Sequence, residues 1–199
     1  MRRHLVLFVR APQLGAGKRR LARAIGEVAT VRFERQMLAL LLRRLAADRR
    51  WRLRIAVTPD VARRRARQWR RGFEATGQGW GDLGIRMRRA LASCPPGPAV
   101  LVGGDTPALS ARHVAAAFRL LGRCDLVFGP AVDGGFWLVG ARRARPLPPL
   151  FEGVRWSSPF ALADTLAGVP RRVTVGYVDR LEDVDEEESY RRLAPRRGF

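Results

Sequence analysis

The chain reads Leu5-Val6-Leu7-Phe8-Val9 and, after Arg10, Ala11-Pro12-Gln13-Leu14-Gly15-Ala16-Gly17-Lys18-Arg19-Arg20-Leu21. A short unbroken apolar run closed by a Pro/Gly turn is the pattern of a strand covered on both faces, as in a parallel sheet flanked by helices. A basic helix start follows near Lys18. Free backbone N–H groups at such a helix start, with Lys18, Arg19 and Arg20 beside them, suit a phosphate. Two standard phosphate loops are absent. The G-x-x-x-x-G-K-[ST] pattern fails at Pro12 and Arg19, and the G-x-G-x-x-G pattern fails at Arg20. Of the 38 Lys and Arg residues, Lys18 alone is lysine. Its compact ammonium on a flexible stem serves phosphate as a point charge, a role that the planar guanidinium does not take over unchanged.

Similar short strands recur at Leu53–Val57, Ala99–Gly103, Asp125–Gly129 and Val173–Val178, with a further strand at Phe136–Val139. Helical spacing appears in Phe33, Met37, Leu41 and Leu45. It returns in Leu83, Met87, Ala90 and Leu91, and again in Val114, Ala117, Phe118 and Leu121 behind the N-cap residue Ser110. Strands alternating with helices predict an α/β three-layer sandwich with a mostly parallel central sheet. With 199 residues, no linker and no internal repeat, the chain reads as one domain, 1–199.

Composition narrows the classes. The first apolar run ends at Arg10 without a cleavage site, and no stretch reaches membrane-spanning length, so a cytoplasmic protein is expected. Cys94 and Cys124 form no C-x-x-C pattern, and His4 and His113 stand alone, so neither a disulfide framework nor a zinc site is supported. The net charge of +20 invites a nucleic-acid reading. Yet the arginines run from Arg2 to Arg197. The one dense cluster (Arg63, Arg64, Arg65, Arg67, Arg70 and Arg71, around Trp69) reads as the wet face of a short helix. A non-catalytic RNA- or polyanion-binding protein is the alternative from a different class.

In an open α/β sheet ligands bind beyond the carboxyl ends of the strands, so the loops there carry the chemistry. After Ala99–Val102 comes Gly103-Gly104-Asp105-Thr106-Pro107, in which two glycines admit a ligand to the backbone and Asp105 stands at the strand end. A carboxylate in that place suits Mg²⁺ or Mn²⁺ bridging a diphosphate, and equally suits a turn aspartate. Asp133-Gly134-Gly135 follows another strand end and also reads as a hairpin turn. Near the C-terminus, Asp185 with Glu188 fits a helix N-cap and its partner, while Asp185 or Asp183 also offers a second metal carboxylate.

These loops carry a family resemblance. The matching segments are Ala11-Pro12…Gly15…Lys18…Arg20-Leu21, Gly81-Asp82-Leu83-Gly84…Arg86-Met87 and Gly104-Asp105-Thr106-Pro107. They continue with Gly129-Pro130…Asp133-Gly134-Gly135-Phe136, Leu150-Phe151-Glu152-Gly153-Val154-Arg155-Trp156-Ser157-Ser158 and Asp183-Val184-Asp185. In that order they resemble the DUF2064 group of GT-A-type transferases, also described as arsenosugar-biosynthesis glycosyltransferases. That group is itself similar to guanylyltransferases such as that of the molybdenum cofactor. The chain departs from the group at Ile85, where an acidic residue is common, at Ser158, where Thr is usual, and at Glu186-Glu187, where Thr-Pro follows the last Asp.

The resemblance implies a GT-A-like, Rossmann-like fold that binds a nucleotide diphosphate. It places Pro12, Gly15, Gly17, Lys18, Arg20 and Gly104 at the nucleotide phosphates and Asp105 and Asp185 at a Mg²⁺ or Mn²⁺ ion. Asp133, Gly134 and Gly135 fall on the substrate side, with Lys18 and Asp105 as the catalytic pair. The expected activity is transfer from a nucleotide sugar to a small acceptor, the alternative being nucleotidyl transfer from a nucleoside triphosphate. Asp133 and Glu152 are the residues considered as a general base.

Overall fold

A computed structural model describes residues 1–69, 73–144 and 146–193. The strands are β1 (His4–Arg10), β2 (Arg52–Thr58), β3 (Glu74–Gly77), β4 (Ala99–Gly103), β5 (Leu126–Pro130), β6 (Phe136–Ala141) and β7 (Val175–Tyr177). The helices are α1 (Arg19–Ile25), α2 (Glu27–Ala46), α3 (Arg63–Trp69), α4 (Leu83–Ala92), α5 (Ala111–Leu120), α6 (Ala161–Ala167) and α7 (Glu187–Leu193). Among the described residues seven strands form one sheet in the order β3-β2-β1-β4-β6-β5-β7. β1 pairs in parallel with β2 and β4, β2 with β3, and β5 with β7; only β6 runs antiparallel, between β4 and β5. The expected mostly parallel α/β sandwich is therefore what forms.

The two-residue period of the strands divides the core into two layers. Leu5, Leu7 and Val9 of β1, with Ile55, Val57, Val100 and Val102, face the helices α2 and α5 through Phe33, Met37, Leu41, Val114 and Phe118. Val6, Ala56, Leu101 and Phe128 face the other way, onto Met87, Ala90 and Leu91 of α4. Burial on both sides explains why these strands read as continuous apolar runs. α5 begins where Ser110 was expected to cap it: the Ser110 N–H donates to His113 Nδ1 at 3.1 Å. His113 is an ordinary buried helix residue, as expected, and burial pushes its pKa down.

The arginine cluster at Arg63 is a wet helix face where it is described. Ala66 is buried against the core while Arg63, Arg64, Arg65 and Arg67 are exposed. Arg70 and Arg71 lie outside the described residues, as do Arg196 and Arg197. Among the described residues no helix is long and apolar enough to cross a membrane.

Leu7 is fully buried at the middle of the interior strand β1. Leu7→Ala is expected to cost about 2–5 kcal/mol of stability, lowering the urea midpoint with an unchanged m-value. A loss below about 1 kcal/mol would show that β1 is not the packed centre of this sheet.

Candidate functional site

Three loops converge at the carboxyl ends of β1 and β4. The chain leaves β4 through Gly104, where a Cβ would stand 2.6 Å from Val9 Cγ1 on β1, so a side chain there would push the two strand ends apart. Asp105 follows. The segment beyond β7 runs beside the exit of β5, with the Leu181 N–H donating to the Pro130 carbonyl at 3.1 Å and the Val132 N–H to Leu181 O at 3.1 Å. It then reaches β4's exit, where the Val184 N–H donates to the Asp105 carbonyl at 2.9 Å. Val184 is wholly buried and belongs to the same core layer as α2 and α5. With Val184 turned inward, its neighbours Asp183 and Asp185 both turn towards Asp105. Carboxylate oxygens of Asp105, Asp183 and Asp185 all lie within 4.8 Å of one another.

Lys18, at the end of the β1–α1 loop, points into this cluster. Its Nζ is 3.2 Å from Asp105 Oδ2 and also donates to Asp185 Oδ1. Burial alone would lower the ammonium's pKa, but Asp105 and Asp185 outweigh it, and the net shift is upward. Beneath the loop lies Glu34 of α2, whose carboxylate sits close to Gly17 and Lys18. A Cβ on Gly17 would sit 2.7 Å from Glu34 Oε1, so this glycine lets the loop rest on the helix. Burial raises the Glu34 pKa, against the opposing pull of Lys18 and Arg10. Phe8, Arg10, Lys18, Glu34, Met37 and Asp105 line a cleft of about 180 Å³ here. Asp183 is pushed up to about 7, chiefly by burial and then by the charges of Asp105, Asp185 and Asp133.

The donor set fits a hard divalent cation. Three carboxylates this close repel one another, and oxygen-only ligands suit Mg²⁺ or Mn²⁺. The position already draws a cation, since an ammonium is bonded to two of the three. Asp105 and Asp185, singled out separately in the sequence, are brought together, and Asp183 joins them rather than standing as a substitute for Asp185. Asp185 does not cap the last helix. Its carboxylate is taken by Lys18, while Ser189 Oγ accepts the N–H groups of Asp185 and Glu186 at 3.2 and 3.3 Å. Glu188 is an exposed partner of Arg192.

The remaining sequence candidates fall around this centre. Gly15 makes the turn at φ 73°, and Pro12 and Arg20 flank the same loop, with Arg20 exposed at the start of α1. Asp133 and Gly134 form the β5–β6 hairpin, where Asp133 Oδ1 accepts the Gly135 N–H at 2.9 Å and the Asp133 charge reaches Asp183. Gly134 has φ 88°, and a Cβ there would lie 2.1 Å from Pro159 O. Glu152 is exposed in the turn after Phe151, whose ring packs on Phe136 and Trp156. Sequence reasoning missed Glu34. Its signal was a lone acid next to the apolar stripe of Phe33, Met37 and Leu41, a pattern shared with any helix-surface glutamate.

A strand-end cleft on a largely parallel sheet is the ligand-binding position of an open α/β fold, and the structural neighbours make this one a GT-A-like, nucleotide-diphospho-sugar-transferase fold. The chain belongs to the family described as "Uncharacterized protein conserved in bacteria (DUF2064)", whose model matches residues 41–158. That span holds Asp105 and Asp133 and leaves Lys18, Asp183 and Asp185 outside it. A crystal structure from Desulfovibrio desulfuricans G20, provisionally named a nucleotide-diphospho-sugar transferase, is 28% identical with a TM-score of 0.86, covering 94% of this chain and 84% of that one. Two more distant structures share the fold. The 4-diphosphocytidyl-2C-methyl-D-erythritol synthase of Anaerococcus prevotii DSM 20548 is 11% identical, with a TM-score of 0.63 and 98% of each chain covered. Glucosyl-3-phosphoglycerate synthase of Mycobacterium tuberculosis, in complex with Mn²⁺, UDP and glucosyl-3-phosphoglycerate, is 11% identical with a TM-score of 0.57, covering 96% of this chain and 76% of that one. No curated protein matches the sequence significantly.

The raised Asp183 pKa makes stability fall with rising pH. The folded protein keeps this proton up to about pH 7, whereas the unfolded chain releases it near the ordinary aspartate value of 3.8, so the cost sets in between those limits and is complete above them. Asp183→Asn in metal-free buffer is therefore expected to be more stable than wild type at pH 8, by an amount of order 2 kcal/mol, and to lose that advantage near pH 4. A pH-independent difference in urea unfolding would show that Asp183 ionises normally.

Proposed function

We propose that this chain is a divalent-metal-dependent transferase that uses a nucleotide-activated donor, in first place a nucleotide sugar. The observation that carries the reading is the triad Asp105, Asp183 and Asp185 at the carboxyl ends of the sheet with the chain's single lysine among them. Those three carboxylates would hold Mg²⁺ or Mn²⁺, which when bound supplies Lewis-acid stabilisation of the charge growing on the leaving phosphate. Lys18 would add a second positive charge on the phosphate side, in a half-buried cleft where such a charge is stronger than in water. Gly15 and Gly17 keep the loop free of side chains, Gly104 keeps β4's exit against β1, and Pro12 and Arg20 flank the donor phosphates.

Asp133, Gly134 and Gly135 would face the acceptor. Asp133 is the better placed of the two base candidates, because its charge is felt at Asp183 whereas Glu152 sits on the aromatic side of the hairpin. With a nucleotide sugar a nucleoside diphosphate leaves; with a nucleoside triphosphate pyrophosphate leaves, and the same residues serve. The sugar donor is preferred because the 28%-identical Desulfovibrio protein carries that name.

The test is thermal stability against nucleoside triphosphates, diphosphates and nucleotide sugars, with and without Mn²⁺. One nucleotide should raise the melting temperature only with the metal, by an amount equivalent to about 2.7 kcal/mol at one hundred times its Kd. Asp105→Asn should abolish that shift while the unliganded melt stays cooperative. Metal-independent binding, or RNA binding that falls steeply with salt and ignores Asp105→Asn, would replace the enzyme with a polyanion-binding protein.

A further inference from the structure

Lys18 and a metal ion would claim the same carboxylates. The ammonium is bonded to Asp105 Oδ2 and Asp185 Oδ1, and both residues belong to the triad. From this we infer that Lys18 is a displaceable internal cation. It holds the carboxylates together in the metal-free protein, and on metal binding it gives up these oxygens and swings its ammonium to the donor phosphate. The inference rests on the metal reading above and adds to it an order of events and a coupling.

Three features of the loop support it. First, the backbone is held independently of the ammonium: the Ala22 N–H of α1 donates to the Lys18 carbonyl at 2.8 Å, while Nζ bonds to the two carboxylates. Second, an ammonium on a four-carbon stem can trade partners by rotation, whereas a guanidinium needs a matched planar partner at both positions. In a chain with 38 basic residues this is the one written as lysine. Third, the cleft beside Nζ is open and lined by Arg10 and Glu34, so the released ammonium has somewhere to go.

Competition for shared carboxylates makes the coupling reciprocal. Metal alone binds against the cost of expelling Lys18. Metal with a diphosphate binds more tightly, because the expelled ammonium gains a phosphate partner. Lys18 thereby makes the metal and donor sites positively cooperative.

The single lysine provides a direct readout. Limited acylation with N-hydroxysuccinimidyl acetate, followed by peptide mass spectrometry, reports Lys18 alone, with the exposed Met1 amine as internal reference. In chelator Lys18 should react slowly, since its Nζ is bonded to two carboxylates and its side chain is largely buried. Saturating Mn²⁺ should raise the ratio of Lys18 to Met1 labelling about five-fold or more, and adding UDP or GDP should lower it again. Lys18→Met should bind Mn²⁺ about ten-fold more tightly than wild type without nucleotide, measured as loss of the free-ion EPR signal, and should lose most of the Mn²⁺-nucleotide cooperativity. If Mn²⁺ binds but neither labelling nor affinity changes, Lys18 is not the displaced cation and the metal reading stands. If neither protein binds Mn²⁺ at millimolar concentration, the inference and the metal reading both fall.

Discussion

Mutual repulsion among Asp105, Asp183 and Asp185 is the constraint around which this end of the molecule is organised. Carboxylates within 4.8 Å of one another are unfavourable unless protonated or matched by positive charge. Both answers are present. Lys18 bonds to two of the three, and Asp183 retains a proton to about pH 7. A cluster that costs stability and lies where open sheets bind ligands is the kind of local conflict expected at a working site.

The rest of the fold meets that cost by fixing the loops from below. Buried Val184 and its N–H bond to the Asp105 carbonyl tie the C-terminal segment to β4. The Lys18 loop rests on Glu34 of α2, and Gly17 and Gly104 allow both loops to lie close to their supports. The triad is thus held in place by neighbours that are anchored in the core. The basic surface plays a different part. Arg63, Arg64, Arg65 and Arg67 ride on a helix anchored by Ala66, and their charge is solvated rather than gathered at the cleft.

The architecture was legible because β1, β2 and β4 are buried on both faces and therefore spell themselves as apolar runs. The hairpin at Asp133 was legible from Asp-Gly between two strand patterns. β3 was not: Glu74-Ala75-Thr76-Gly77 is an edge strand with only Ala75 buried, so it carries no hydrophobic signature. α6 was missed for a similar reason, since its seven residues are mostly small. At the site, Lys18 and Asp105 stood out by residue type and by position after a strand. The Asp185 and Glu188 pair mimicked a helix cap, and only the position of Ser189 shows which group caps that turn.

By itself the sequence determined the α/β class, the strands that form its centre, and the separate candidacy of Lys18, Asp105, Asp183 and Asp185. These follow from periodicity and from local turn chemistry, which act over a few residues. Tertiary structure decided that Asp183 and Asp185 both lie beside Asp105, that Lys18 lies between carboxylates, and that Glu34 sits beneath its loop. Those facts depend on contacts 87 and 167 residues apart in the chain, which arise only once the sheet has brought the ends of β1 and β4 and the C-terminal segment to one place.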